Sequence, residues 1–135
     1  MTASKPNAET WALRYARLAL AAAFLSAVAS RFGLWQGHFS MSRFQEFIAY
    51  TGEVNAFLPA RTYPALAWAA TLAETACGLT LLSGFKLRWA AFGSAGLLFV
   101  FATAMAISQG IKSPLDYSVY SASAAALLLA LRAPR

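Results

Sequence analysis

The sequence is poor in charged residues and in the side chains that usually bind metals. Only 12% of its 135 residues are charged, about half of the ~25% that is usual in soluble globular domains. With one cysteine, Cys77, and one histidine, His38, it has no intramolecular disulfide, no CxxC pair and too few ligands for a His/Cys metal site. These absences argue against a soluble enzyme and against a disulfide reductase. Any redox chemistry would therefore have to come from a bound cofactor, a substrate or a partner protein.

Apolar residues are abundant instead, since 59% of the chain is hydrophobic and the mean hydropathy is +0.53. The net charge of +6 does not indicate nucleic-acid binding, because the basic residues stand singly or in pairs between apolar runs. Lysine and arginine at the ends of apolar segments are typical of membrane proteins. We therefore predict an integral membrane protein whose main partner is the lipid bilayer. The length favours a single domain over residues 1–135.

Four segments of the sequence are apolar enough to cross a membrane. A helix needs ~20 residues for this, because ~30 Å of hydrocarbon is crossed at about 1.5 Å per residue. The predicted spans are residues 12–32, 65–83, 89–109 and 114–131. They predict an all-α fold, a membrane four-helix bundle. The first span also has a second interpretation as a cleaved signal peptide, because Ala27-Val28-Ala29 has the form of a cleavage site.

Basic residues are divided unequally between the two ends of these spans. With the N-terminus inside, seven lie on the inner side and four on the outer side. The positive-inside rule favours this N-in, C-in orientation, which describes a multi-pass protein of the cell inner membrane. The inner residues are Lys5, Arg14, Arg17, Lys86, Arg88, Arg132 and Arg135, and the outer residues are Arg31, Arg43, Arg61 and Lys112.

The loop between the first two spans, residues 33–63, is predicted to be extracytoplasmic and is too long for a plain turn. Ser42-Arg43-Phe44-Gln45 has the form of a capping box with Ser42 as the N-cap. Phe44, Phe47 and Ile48 then form an apolar stripe, which predicts a short amphipathic helix that lies on the outer interface or caps the bundle. The other interpretation is a tether whose aromatic side chains anchor at the lipid headgroups.

Glu74 is the one charged residue inside the second span. It lies ten residues after Pro64 and so about 15 Å into the bilayer. An acidic side chain at that depth costs ~3 kcal/mol and has to face the bundle interior. Thr71 and Gly78 share its helix face, which gives it a polar neighbour and room for close helix approach. Two roles are open for it: a carboxyl that exchanges protons or orients a ligand, and a structural tie between helices.

The segment before the fourth span has the form of a helix start. Ser113 is predicted as its N-cap, Pro114 as its first residue, and Asp116 as an acidic residue facing the positive end of the helix. That structural role is sufficient to explain Asp116.

A candidate site nevertheless follows from the polar residues near the outer ends of the spans. Together with Glu74, they could line a cavity that is open to the outer side. Glu74 is the catalytic candidate, for proton handling, and Arg31 is the nearest counter-charge for it. The candidate ligand-binding residues are Arg31, Lys112, Asp116 and Tyr117.

A set of short motifs runs through residues 14–131 in a characteristic order and spacing. They are Arg17, Phe24-Leu25 and Arg31, then Val54-Asn55-Ala56-Phe57-Leu58-Pro59, Leu66-Ala67-Trp68, Glu74, Gly78-Leu79 and Gly84, then Arg88, and finally residues 110–118. This set resembles the DoxX family of small four-helix membrane proteins.

The resemblance implies a membrane subunit of a redox complex linked to quinones, sulfur compounds or thiols. It implies protein partners in that complex and a quinone as the ligand. If the chain is catalytic, it would be a non-autonomous oxidoreductase subunit. The alternative is a non-enzymatic membrane scaffold, chaperone or small-molecule carrier, which would capture partners through loop residues such as Phe44 and Phe47.

Overall fold

The structure, a computed structural model, describes residues 4–135, and every regular element within them is helical. The six α-helices are α1 (Ala8–Arg31), α2 (Met41–Val54), α3 (Tyr63–Ser83), α4 (Leu87–Gln109), α5 (Lys112–Asp116) and α6 (Val119–Arg132). Short 3₁₀ turns at Leu34–Gln36 and Ala60–Thr62 flank α2. The predicted all-α fold is confirmed for this part of the chain.

Three helical segments are long and apolar enough to cross a membrane: α1, the stretch Ala60–Ser83 that contains α3, and α4. α1 begins after Asn7, whose side-chain oxygen accepts a hydrogen bond from the Thr10 amide at 2.9 Å. α3 ends at Ser83 and is followed by Gly84, which has a φ of +78° that only glycine adopts without steric cost. With these three helices, the chain is an integral, multi-pass membrane protein.

The fourth predicted span is wrong as a single continuous helix. α5 ends at Asp116, Ser118 has a left-handed φ of +57°, and α6 begins at Val119. α6 has 14 residues, so it is about 21 Å long and shorter than the ~30 Å of hydrocarbon. An apolar run indicates hydrophobicity alone, and serine is not a residue that marks a left-handed backbone conformation. The sequence pattern could therefore not locate the break at Ser118.

The predicted start of this segment is also shifted. α5 begins at Lys112, so Ser113 lies within its first turn and is not the N-cap. The Ser113 hydroxyl instead donates a hydrogen bond to the side chain of Gln109 at 2.8 Å, because Gln109 ends the preceding helix one turn away.

α2 lies in the loop where the sequence predicts an amphipathic helix, and it packs onto the bundle. Phe44 is fully buried, with its ring centroid 5.1 Å from that of Phe32 and 4.3 Å from that of Trp68. These contacts make α2 a cap on the bundle rather than a tether. The predicted capping box is wrong: Ser40 is the N-cap, and its hydroxyl bonds to that of Ser42 at 2.7 Å, so that neither serine caps the helix amides.

The core lies between α1, α3, α4 and α6 and is built largely from small side chains. Its fully buried alanines are Ala21, Ala67, Ala91, Ala102, Ala126 and Ala130. Small residues let helices approach closely, and at Gly78 of α3 an added Cβ would lie 2.8 Å from the Leu25 side chain of α1. The Ser123 hydroxyl of α6 donates a hydrogen bond to the Ala95 carbonyl of α4 at 2.7 Å, which joins those two helices.

Candidate functional site

A cavity of about 470 Å³ lies between the helices, alongside α2. Its large apolar side chains are Leu20, Phe24, Leu66, Leu98, Phe101 and Met105. The rest of the lining includes five alanines, whose small side chains leave room for the cavity: Ala23, Ala27, Ala70, Ala104 and Ala122. A mostly apolar cavity with a few polar groups is the usual form of a small-molecule site.

The cavity is partly open, and exposed residues occur in its lining both near α2, where Tyr117 is 74% exposed, and between α1 and α4. Ala23 of α1 and Val100 of α4 line it although both are exposed, Val100 by 60%. Both helices are long enough to cross a membrane, and exposed apolar residues in such helices face lipid. One part of the opening therefore lies between α1 and α4, on a surface that faces lipid.

An ion pair between Arg31 and Glu74 forms the polar side of the cavity. The two side chains are in direct contact, and only 11% and 7% of their surfaces are exposed. Arg31 also donates a hydrogen bond to the Thr71 hydroxyl at 3.1 Å, which in turn donates to the Ala67 carbonyl at 2.8 Å. The guanidinium carbon lies 3.8 Å from the centroid of the Phe47 ring, as a cation–π contact. Arg31 of α1 therefore connects α2 with α3.

This pair explains how α3 accommodates an acidic residue in its middle. A single charge in a region of low dielectric is far more costly than a matched pair with hydrogen bonds. The pair is thus a structural tie between α1 and α3. Because both residues also line the cavity, a ligand in it would meet their polar groups.

The end of α2 is fixed above the cavity by Ser108 of α4. The Ser108 hydroxyl donates a hydrogen bond to the Val54 carbonyl at 2.9 Å and accepts one from the Ala56 amide at 3.2 Å. One side chain thereby pairs with a carbonyl that the end of α2 leaves without a partner and with an amide just beyond that end. α2 is held at both its middle, through Phe47, and its end.

Tyr50 supplies a phenol to the cavity from α2. Burial raises the pKa of this phenol above its usual value, and the neighbouring Tyr117 and Glu53 raise it further, while Arg31 lowers it. The net direction is upward. The phenol is therefore protonated at neutral pH and can donate a hydrogen bond to a ligand.

Three of the five residues predicted for the site line the cavity: Arg31, Glu74 and Tyr117. Lys112 and Asp116 are not part of its lining. They form an ion pair with each other on α5, with 85% and 55% of their side chains exposed. Because they lie four residues apart on one helix, each is the other's nearest partner.

Several residues of the cavity were not predicted for the site. Phe47 and Tyr50 lie three residues apart on one face of α2, and this spacing was the signal that could have found them. Asn55 follows no such pattern. Phe101 and Met105 belong to α4, where nearly every residue is apolar, so that periodicity carries no information about which face lines a cavity.

The arrangement suits a molecule that is apolar over most of its surface and polar at one end. Near its polar side the guanidinium of Arg31, the carboxylate of Glu74 and two tyrosine hydroxyls can donate or accept hydrogen bonds. Among residues 4–135, no three histidine, cysteine or acidic residues lie close enough together to hold a metal ion.

A protein-family model described as "Methylamine utilisation protein MauE" matches residues 9–117 of the chain. Comparison with curated proteins and with solved structures found no match. The matched range contains α2 to α5 and all of α1 except its first residue, and with them Arg31, Glu74 and Tyr117.

The predicted resemblance to the DoxX family is wrong, because the family model that matches is that of a different membrane family. The motifs that carried the resemblance are charged residues at helix ends, glycines and prolines at turns, and small residues within helices. Small helical membrane proteins need these features in general. The role as an oxidoreductase subunit loses the support that it had from DoxX. Over most of its length, the chain belongs to the family of the methylamine utilisation protein MauE.

Proposed function

We propose that this protein binds a largely apolar molecule with one polar end, of the quinone class, in the cavity between its helices. We further propose that it does so as a redox-linked membrane component of methylamine utilisation. The observation that carries the proposal is the cavity of about 470 Å³, which is apolar on most sides and bounded on one by the Arg31–Glu74 pair. The family name supplies the metabolic context.

A quinone with an apolar tail matches this lining. Its ring carbonyls accept hydrogen bonds, and Arg31, Tyr50 and Tyr117 offer donors at the polar side. Its tail would lie against side chains such as Leu20 and Phe101. The part of the opening between α1 and α4 would admit a lipid-soluble molecule directly from the bilayer.

Methylamine itself is a poor match for the cavity. It is a one-carbon cation, and the cavity is many times larger than such a molecule. Its charge would be repelled by Arg31, and the carboxylate of Glu74 is already paired. The apolar walls would form no hydrogen bonds to replace those that the methylammonium ion loses with water. The role in methylamine utilisation is therefore proposed to be indirect.

Glu74 is the one carboxyl in the lining of the cavity, and we assign it the handling of protons. Reduction of a quinone to a quinol takes up electrons and protons in equal number. The chain has one cysteine and one histidine, so the electrons are assigned to a partner protein with its own redox group. Oxidation of the carbon of methylamine releases electrons of this kind.

The proposal includes four crossings of the cell inner membrane, with both chain ends inside. α1, α3 and α4 would provide three crossings, and α5 together with α6 the fourth. An even number of crossings requires the start of α1 and the end of α6 to lie on one side. In support, Glu9 of α1 and Arg132 of α6 form an ion pair at 3.2 Å.

The test is a binding titration of the detergent-solubilised protein with decylubiquinone. Ala27→Phe places a ring inside the cavity, whereas Ala22→Phe adds the same ring on the same helix at an exposed position outside the lining. We expect wild type and Ala22→Phe to bind equally. We expect Ala27→Phe to bind at least about tenfold more weakly, a loss of ~1.4 kcal/mol. Equal binding by the two phenylalanine variants would refute the cavity as the site.

The double variant Arg31→Met/Glu74→Gln tests the polar side separately. It removes both charges together and so leaves no buried charge unpaired. Weaker quinone binding by this variant, with the helical content unchanged, is expected. Unchanged binding would leave the cavity as the site and remove Arg31 and Glu74 from ligand recognition.

A second candidate function, a non-enzymatic scaffold, chaperone or carrier, is favoured by exposed aromatic residues between α1 and α2. Trp35 and Phe39 are 68% and 60% exposed, and aromatic side chains are enriched in protein interfaces. Phe44, by contrast, is buried and cannot contact a partner directly. Absence of quinone binding by wild type, together with partner proteins that are lost from Trp35→Ala/Phe39→Ala, would favour this function.

A further inference from the structure

The whole net charge of the protein lies at one end of the bundle. At the end where α1 begins and α6 stops, there are seven basic residues and one acidic residue, Glu9. The other four basic residues are balanced by the other four acidic ones, of which Glu46, Glu53 and Asp116 lie toward the opposite end and Glu74 lies in the middle of α3. The net charge of +6 is therefore a property of the first end alone.

This basic end contains an open groove of about 660 Å³ between the start of α4 and the residues that follow α6. The groove is lined by Lys86, Arg88, Trp89, Phe92, Pro134 and Arg135. No acidic side chain belongs to this lining. The one acidic residue at this end, Glu9, is paired with Arg132, which is not in the groove.

The groove also has an apolar part that continues into α4. Trp89 is 72% exposed, and its ring centroid lies 6.3 Å from that of Phe92, one turn further along the helix. The guanidinium carbon of Arg88 lies 5.7 Å from the centroid of the Phe92 ring. Cationic and aromatic groups are thus adjacent where an apolar helix enters the membrane, the level at which lipid headgroups and tryptophan side chains lie.

From this arrangement we infer that the groove binds an anionic phospholipid, with the phosphate among Lys86, Arg88 and Arg135 and an acyl chain along Trp89 and Phe92. Juxtamembrane basic residues attract anionic headgroups, and among residues 4–135 none of these three cations forms an ion pair with an acidic side chain. The aromatic part would add apolar contacts that free phosphate cannot make. The site is separate from the cavity, and its existence does not depend on the proposed quinone.

The test is native mass spectrometry of the detergent-solubilised full chain, titrated with phosphatidylglycerol, phosphatidylcholine or inorganic phosphate. We expect tighter binding of phosphatidylglycerol than of phosphatidylcholine. Lys86→Gln/Arg88→Gln should lower the affinity for phosphatidylglycerol roughly thirtyfold, since each juxtamembrane cation contributes ~1 kcal/mol. Arg43→Gln/Arg61→Gln is the matched control, because it removes the same charge from the other end and should leave this affinity unchanged.

A second measurement uses wild type and does not require the double variant to fold. Phosphatidylglycerol brominated on its acyl chains should quench the fluorescence of Trp89, obtained as the difference between wild type and Trp89→Phe. Quenching of Trp89 that phosphatidylcholine with the same bromination does not produce would support the site.

Three outcomes would overturn the inference. Equal loss of affinity in the two double variants would assign the effect to overall charge instead of the groove. Full displacement of the lipid by equimolar inorganic phosphate would make it a site for the free anion. Equal quenching by both brominated lipids would show that the headgroup charge is not recognised.

Discussion

At the scale of single residues, the bundle depends on one pair of opposite charges in its interior. Arg31 has contacts with α3 through Glu74 and Thr71, and with α2 through the ring of Phe47. Among residues 4–135, neither charge forms a second ion pair. The loss of one partner would leave the other charge buried.

Glu74→Gln is therefore expected to lower the free energy of unfolding by about 3 kcal/mol, the usual cost of breaking a buried ion pair from one side. Arg31→Met/Glu74→Gln should recover most of this loss, because no unpaired charge remains in it. Unfolding in mixed micelles, followed by circular dichroism, measures both values.

The exposed pair of Lys112 and Asp116 provides the control for that experiment. Its double neutralisation, Lys112→Gln/Asp116→Asn, should change the free energy of unfolding by less than about 0.5 kcal/mol, because solvent screens the charges. If Glu74→Gln were no more destabilising than this control, the buried pair would not be the tie between α1 and α3.

The pairing of Arg31 with Glu74 could be expected from the sequence, because an acidic residue deep in an apolar run requires a cation and Arg31 is the nearest. The cation–π contact with Phe47 could not be expected from the sequence, since it depends on how α2 folds back over the bundle. The separation of Lys112 and Asp116 from the cavity was missed for a similar reason. Their position near the outer ends of the spans did not reveal that they pair with each other.

At the scale of whole elements, α1 and α3 approach each other closely at a glycine. This glycine is Gly78, and an added Cβ would come within 2.8 Å of the Leu25 side chain and 3.3 Å of the Cβ of Phe24. Real Cβ atoms do not tolerate the shorter of these distances, so the two helices would have to separate or Leu25 would have to move.

Gly78→Ala is accordingly expected to destabilise the protein by about 1–3 kcal/mol, as overpacking of a core does. Gly93→Ala is the matched control, because an added Cβ on α4 at that position meets no atom within 4 Å. It should leave stability unchanged or raise it by up to ~1 kcal/mol, since alanine favours a helix over glycine. Thermal unfolding of the two variants in the same detergent compares them. A loss in Gly93→Ala equal to that in Gly78→Ala would contradict the close crossing.

The three long helices were predictable as apolar runs, and Pro64, Gly84 and Gly110 indicated the ends of α3 and the end of α4. The start of α1, at Ala8, was predicted four residues too late because no such residue marks it. The break between α5 and α6 at Ser118 was not predictable, because it is caused by a backbone conformation that a serine side chain does not indicate. The start of α2 was misplaced by two residues because serines occur at both 40 and 42, and a capping box is recognised by residue type alone.

At the scale of the whole molecule, the unequal charge of the two ends predicts the orientation in the membrane. Ser4→Cys and His38→Cys, each in a Cys77→Ala background, place single thiols at exposed positions at the opposite ends. With the proposed orientation, a membrane-impermeant maleimide should label His38→Cys from outside intact cells and Ser4→Cys only in inverted vesicles. Labelling of both from the same side would exclude an N-in orientation with a single crossing between them.

The family was the part of the whole-molecule prediction that failed. Spans bounded by charges, glycine turns and small residues are requirements of the bilayer, so proteins of different families meet them with similar motifs. A family model weighs every position of residues 9–117 instead of a few motifs, and it identified MauE. Without the family model, the sequence was sufficient to predict a membrane protein and a buried acidic residue with its counter-charge.

The part of the opening at Ala23 and Val100 lets the cavity be filled from the bilayer. A lipophilic molecule partitions into the bilayer, where its local concentration is set by its mole fraction among lipids and not by its aqueous solubility. Modest intrinsic affinity is then sufficient for high occupancy in a membrane rich in that molecule. The occupancy of the cavity would consequently follow the composition of the lipid pool, and a dissociation constant stated per litre of buffer would underestimate how often it is filled.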